Sequence, residues 1–201
     1  MLKVQINFEK LNTIKRKQKA LQIEKEMELI VNSKLWASKW EAILGFSGET
    51  SNYKHMSGKE VLKMINCADE ILLPNTKGVI NIDIDDVYLR RGIVGYTYAT
   101  VLTVFTNTRF FDSEDLSPEY HHRKQSGSNL LHEWLHKIGF DHDFYSTERR
   151  PFSVCYQGNR IYEECWDELI APLLKKEIVK YSYRRWFKTY TVEKIELWGT
   201  I

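Results

Sequence analysis

The sequence predicts an α+β fold, one domain of two lobes, and three observations predict it. Short runs of alternating apolar and polar residues, the period of a half-buried strand, follow one another instead of alternating singly with helices. Stretches with apolar residues at helical spacing lie before and after them. The chain has 201 residues, 43% of them hydrophobic, enough for one sizeable core and a small second lobe.

Residues 2–8 set Leu2, Val4, Ile6 and Phe8 against Lys3, Gln5 and Asn7, which predicts a first strand. Residues 14–44 favour helix, with Ile23, Met27, Ile30, Val31 and Leu35 on one face and Asn32-Ser33 as a candidate break. The basic run 15–19 reads as a solvated helix face. Ser57-Gly58-Lys59-Glu60 has the S-x-x-E form in which serine and glutamate cap each other's backbone N–H, so a helix should run from there to about Asp69. Pro74 and Gly78 mark a turn, and three strands are expected at 79–88, 93–98 and 101–105. Asp83 and Asp85 fall on the polar side of the first of these, so with Asp86 they read as solvated carboxylates and not as a calcium site. Residues 112–128 read as a polar loop, with His121 and His122 as surface residues. A helix at 163–176 carries Trp166, Leu169 and Leu173 on one face.

Bulk properties exclude several classes. With 29 basic and 27 acidic residues the formal charge is +2, too small to draw a polyanion by long-range attraction, so no nucleic-acid partner is expected. An alternative partner surface of that kind is the basic, aromatic tail from Tyr181 to Tyr190, and packing onto the rest of the chain is the reading preferred for it. The three cysteines, Cys67, Cys155 and Cys165, form no CxxC pair or dense framework, and a Cys155–Cys165 bridge stays open as an alternative. No apolar stretch approaches the roughly 20 residues of a membrane span, so no membrane partner is expected. The first residues lack the pattern of an export signal, which suggests the cytoplasm, or secretion if the chain is a processed form. A monomer is expected.

The chemistry sits in Leu131-His132-Glu133-Trp134-Leu135-His136-Lys137-Ile138-Gly139-Phe140-Asp141-His142. Residues four apart on a helix share a face, so His132 and His136 can direct two imidazoles at one ion about 2.0–2.1 Å away. Glu133 projects to the side, out of the ligand set but near a water beside the metal, where a carboxylate acts as general base. Gly139 falls where a left-handed residue would end the helix and return the chain, delivering His142 as third ligand. Three protein ligands leave one position of a tetrahedral zinc open, the arrangement of a catalytic site.

This H-E-x-x-H-x-x-G-x-x-H pattern resembles that of the metzincin zinc endopeptidases. The resemblance implies Zn²⁺ as cofactor, hydrolysis of peptide bonds by a metal-activated water with Glu133 as base, and a protein or peptide as substrate. It also implies a mixed, twisted sheet with long helices and an active-site helix at about 127–138 in a lobe of residues 1–142. A smaller, mainly helical or irregular lobe would follow at 143–201. The edge strand that holds substrate in this clan would be Gly95-Tyr96-Thr97-Tyr98 with its neighbours Val94 and Ala99, pairing through backbone groups. Asp143, directly after the last ligand, is similar to the adamalysin pattern.

One departure stands out. The clan places a methionine in a tight turn beneath the imidazoles, and all four methionines here precede His142. Ser153-Val154-Cys155-Tyr156 resembles the form of that turn with Cys155 in the methionine's place, a soft sulfur able to fill an apolar floor. Tyr156 would then stand near the metal and hydrogen-bond a developing oxyanion. Two alternatives remain open: a zinc-binding protein of the same fold without catalysis, and a gluzincin-type peptidase that takes Glu164, in Glu164-Cys165-Trp166-Asp167, as third ligand.

Overall fold

The computed structural model describes residues 1–8, 11, 13–72, 76–87, 95–97, 103–107, 119–185 and 188–198, the side chains of 15, 86, 119–122 and 175–198 excepted. In order these form β1 (Lys3–Asn7), α1 (Ile14–Val31), α2 (Lys34–Glu41), α3 (Gly58–Cys67), β2 (Val79–Val87), β3 (Gly95–Tyr96), β4 (Thr103–Asn107), α4 (Glu119–Lys137), α5 (Val154–Leu169), β5 (Lys175–Arg185) and β6 (Lys188–Trp198). Short 3-10 turns lie at Arg150–Phe152 and Ala171–Leu173. At the coarse level this is a mixed α/β fold, compatible with the α+β expectation: among the described residues, five helices and a four-stranded mixed sheet.

The sheet runs β1-β2-β4-β3, with β1, β2 and β4 parallel and β3 antiparallel at one edge. Ile80, Ile82 and Ile84 of the inner strand β2 are buried, as the alternation of that run requires. At the β1 edge, the N–H groups of Leu2, Val4 and Ile6 donate to side-chain oxygens of Asn32, Glu28 and Glu24, at 2.8, 3.0 and 2.7 Å. Steps of two along a strand are thus matched by steps of four along a helix, and those donors are occupied by α1 instead of another strand. Helix α1 ends at Val31, Ser33 caps α2 by accepting the Trp36 N–H at 3.0 Å, and the break therefore falls at Asn32-Ser33. The capping box of Ser57 and Glu60 opens α3.

Trp36 and Trp40, one turn apart on α2, are both buried and meet edge to face with centroids 5.5 Å apart. They pack toward α5, where Gly158 lets Leu135 of α4 and Trp40 approach the α5 backbone; a Cβ there would lie 2.6 Å from Leu135 Cδ1. Truncating either tryptophan to alanine costs about 3–5 kcal/mol. Behind this layer Glu26 of α1, fully buried, holds three elements together. It pairs with Arg123 of α4 at 3.0 Å and accepts from Trp166 of α5 at 2.8 Å. Burial raises the Glu26 pKa, opposed by Arg123 and the Trp166 N–H.

Three expectations need correction. The run before the motif is not a loop to residue 128: α4 begins at Glu119 and includes His121 and His122. Gly127 lies inside this helix, at a position where a Cβ would run into the Tyr162 ring. Helix α5 spans Val154–Leu169 instead of 163–176, since Ser153 caps its start, accepting the Tyr156 N–H at 3.4 Å, and Pro172 follows its end. The stretch after His142, expected to be mainly helical or irregular, contains helix α5 and in addition the hairpin β5–β6, paired from Lys175↔Trp198 to Arg185↔Lys188. Its Tyr, Val, Thr and Ile residues favour strand, a signal masked by the interspersed charges. Among the described residues no helix is long and apolar enough to cross a membrane.

Candidate metal centre

The C-terminal half of α4 is surrounded by protein. Leu130, Leu131, Trp134, Leu135 and Ile138 supply apolar packing, and His132, Glu133, His136 and Lys137 are none of them more than 6% exposed. Lys137 forms a buried ion pair with Glu70 at 3.0 Å and donates to the Asn81 carbonyl of β2 at 2.8 Å. The same Glu70 accepts the Trp134 indole N–H at 2.8 Å. The helix is thereby fixed to the sheet and to the segment after α3.

At its end, Gly139 has φ +104°, a conformation side chains disfavour. The Gly139 N–H donates to the His136 carbonyl and the Phe140 N–H to the Leu135 carbonyl, at 3.0 and 3.2 Å, the bond pair of a Schellman cap. The reversed chain brings back His142. The three imidazole centroids stand 5.1 Å (His132–His136), 5.2 Å (His132–His142) and 4.9 Å (His136–His142) apart. His132 Nε2 and His142 Nε2 are 3.2 Å apart. Two nitrogens bound to one tetrahedral zinc stand about 3.3–3.4 Å apart, as bond lengths near 2.0–2.1 Å dictate. His136 Nδ1 lies 2.8 Å from the Phe140 carbonyl, which fixes the ring and leaves Nε2 as the nitrogen with a free lone pair.

Burial is the first cause pushing all three imidazoles below their ordinary pKa. His132 goes well below it, with His136 and His142 adding; His136 goes below it against the Phe140 carbonyl; and His142 falls to about 4. Neutral imidazole, the form that ligates metal, is therefore held in place. Burial likewise lifts Glu133 to about 8, opposed by the backbone N–H of Thr97.

No protein-family model, curated protein or solved structure matches the chain. A buried group of His132, His136 and Cys155, its donor atoms all within 4.8 Å of one another, could hold a metal ion. Cys155 Sγ is 3.6 Å from His136 Nδ1, the edge of that ring already facing the Phe140 carbonyl, and burial pushes the thiol pKa well up. Cys155 and Cys165 are both free thiols.

Tyr156 is brought to the cluster. Its ring is 4.8 Å from that of His132 and 4.9 Å from that of His142, and burial raises its phenol pKa, keeping the proton on. Ser153–Tyr156 is not a free turn but the cap and first residues of α5. Gly95 and Tyr96 form edge strand β3, Thr97 meets Glu133, and Tyr98, Val94 and Ala99 lie outside the described residues. Gly95 has no room for a side chain, because its Cβ would collide with Asn129 of α4 and the Phe105 carbonyl. Asp143 accepts the Tyr145 N–H at 2.8 Å, a local turn bond. Glu164 is not brought to the histidines: Lys39 takes one oxygen at 3.0 Å and Arg160 lies 3.6 Å from the other, on a half-exposed side chain.

Four residues here carry no signal in the motif. Lys137 and Glu70 brace the helix, and Arg150 stands over the Tyr156 ring, 5.3 Å from its centroid. The fourth is Glu49, a 5% exposed carboxylate far away in sequence, which touches the turn leading to His142.

Proposed function

We propose that the protein is a zinc-dependent endopeptidase in which His132, His136 and His142 hold the metal and Glu133 is the general base. The observation that carries the reading is the pair of imidazole nitrogens 3.2 Å apart, with the third ring within 5.1 Å of both and a buried carboxyl on the same helix. A bound zinc supplies Lewis acidity to the scissile carbonyl and lowers the pKa of water toward neutrality. Glu133, lifted to about 8 by burial, can accept a proton from that water and return it to the departing amine. A nearby divalent cation draws such a carboxyl down again, toward the ionised form a base requires. The Tyr156 phenol keeps its proton and serves as a hydrogen-bond donor to negative charge developing on the carbonyl oxygen. An extended peptide would pair with the outer edge of β3, whose end meets Glu133 through the Thr97 N–H.

The test is metal analysis of the purified protein together with cleavage of a denatured protein substrate with and without chelator. Glu133→Gln should retain zinc and lose turnover by several orders of magnitude. Cleavage that survives in that variant removes Glu133 from its role, and a wild-type protein that binds no metal removes the whole reading.

A second reading is favoured by the closeness of Cys155. If its thiolate, grouped with His132 and His136, joins the three imidazoles as a fourth ligand, the sphere is closed and the protein is a metal-binding protein without catalysis. Cobalt substitution separates the two, because a thiolate ligand adds a sulfur-to-metal charge-transfer band that a histidine set lacks.

A further inference from the structure

Glu49 lies 92 residues before Asp141 and 105 before Val154, yet its carboxylate joins both. Oε1 accepts the Asp141 N–H at 2.6 Å and the Ser51 N–H at 3.2 Å, and Oε2 accepts the Val154 N–H at 3.1 Å. Its own backbone forms an isolated antiparallel bridge with His142, and the Thr50 N–H donates to the Asp141 carbonyl at 3.2 Å. Asp141 immediately precedes His142, and Val154 is the first residue of α5, immediately before Cys155 and Tyr156. One buried carboxylate thus links the segment carrying the third imidazole to the helix start carrying the sulfur floor and the phenol. Its charge also complements the positive N-terminus of a 16-residue helix.

We propose that Glu49 is a positioning residue for the metal centre, setting where His142 stands relative to His132, Cys155 and Tyr156. This rests on the reading of the three histidines as a metal site. Only a full carboxylate does the work. Glutamine offers a single acceptor oxygen and would turn its NH₂ toward a backbone N–H, while aspartate is a methylene too short to reach both segments from the same backbone. Outer groups that orient metal ligands typically change metal affinity by about 10–100-fold when removed.

The experiment is a competitive zinc titration of the apo-protein against a chromophoric chelator, with cobalt spectra alongside. It compares wild type, Glu49→Gln and the exposed control Glu41→Gln, which makes the same charge change on α2. Glu49→Gln should bind zinc at least tenfold more weakly, with an unchanged far-ultraviolet circular dichroism spectrum and an altered cobalt band. The control should match wild type. Zinc affinity within twofold of wild type for Glu49→Gln overturns the inference. Should that variant fail to fold, Val154→Pro decides: proline is tolerated at the first helical position and deletes the N–H that Oε2 accepts. It should weaken zinc severalfold, and unchanged affinity there also overturns the inference. Wild-type protein that binds no zinc sinks the metal reading itself, whereas equal binding by wild type and variants sinks only the role of Glu49.

Discussion

Replacing Lys137 by methionine keeps the length of the side chain and takes its ammonium away from a carboxylate with which it shares an almost dry environment. Lys137 and Glu70 are each 2% exposed in their side chains, the pair is 3.0 Å long, and Lys137 also donates to the Asn81 carbonyl. Water cannot replace the lost partner in so buried a place. Breaking such a pair from one side costs about 3–5 kcal/mol, and for a chain of this size each kcal/mol moves the midpoint by about 2–4 °C, so a drop of roughly 6–20 °C is expected. The complementary change Glu70→Gln should cost a similar amount. The double variant Lys137→Met/Glu70→Gln removes both charges and should recover most of the loss, since the desolvation cost of the pair disappears with it. The assay is urea denaturation at neutral pH, run as a double-mutant cycle. A loss below about 1 kcal/mol for Lys137→Met, or losses that simply add in the double variant, would refute the reasoning.

Other perturbations follow from the same geometry. Gly139→Ala forces a side chain into φ +104° and presses its Cβ on Tyr53 and Ile71 at 3.0 and 3.2 Å. It should cost about 1–3 kcal/mol and weaken zinc binding through displacement of His142; a melt and titration matching wild type would contradict this. Chelation should lower the melting temperature. A ligand at a thousandfold excess over its Kd adds about 4 kcal/mol, hence roughly 8–16 °C, and coincident melts with and without chelator would speak against a tightly held ion.

The sequence was most legible where a period or a cap is local. Alternation placed β1 and β2, the S-x-x-E box placed α3 to within two residues at its end, and the helical spacing of His132 and His136 needed nothing beyond four residues of regular helix. Legibility failed where a tertiary partner decides. The loop reading of 112–128 does not foresee Gly127 inside a helix against the Tyr162 ring, and nothing local shows that Glu24 and Glu28 take the N–H groups of β1. Nothing local shows that Lys137 is buried against Glu70 and a strand carbonyl. Residues 175–198 failed for another reason: charges in adjacent groups, Lys175-Lys176-Glu177, Arg184-Arg185 and Glu193-Lys194, interrupt the two-residue period that marks a strand.

The motif residues by themselves supply donors but not rigidity, and rigidity is what distinguishes a centre held ready for an ion from three histidines near one another. The variable positions of H-E-x-x-H-x-x-G-x-x-H are filled here by anchors. Trp134 reaches Glu70, Leu135 meets the backbone of α5 at Gly158, and Asp141 offers its N–H to Glu49. Lys137 adds a second hold on Glu70. Two acidic residues outside the motif therefore restrain its two halves, Glu70 the helix and Glu49 the returning chain, and the Gly139 cap is the joint between them. A helix restrained without the returning chain would leave His142 to wander, and the reverse would let His132 and His136 tilt away from it. The 3.2 Å spacing of the two nitrogens depends on both restraints, so substitution at either acid should loosen it while leaving every imidazole in the chain.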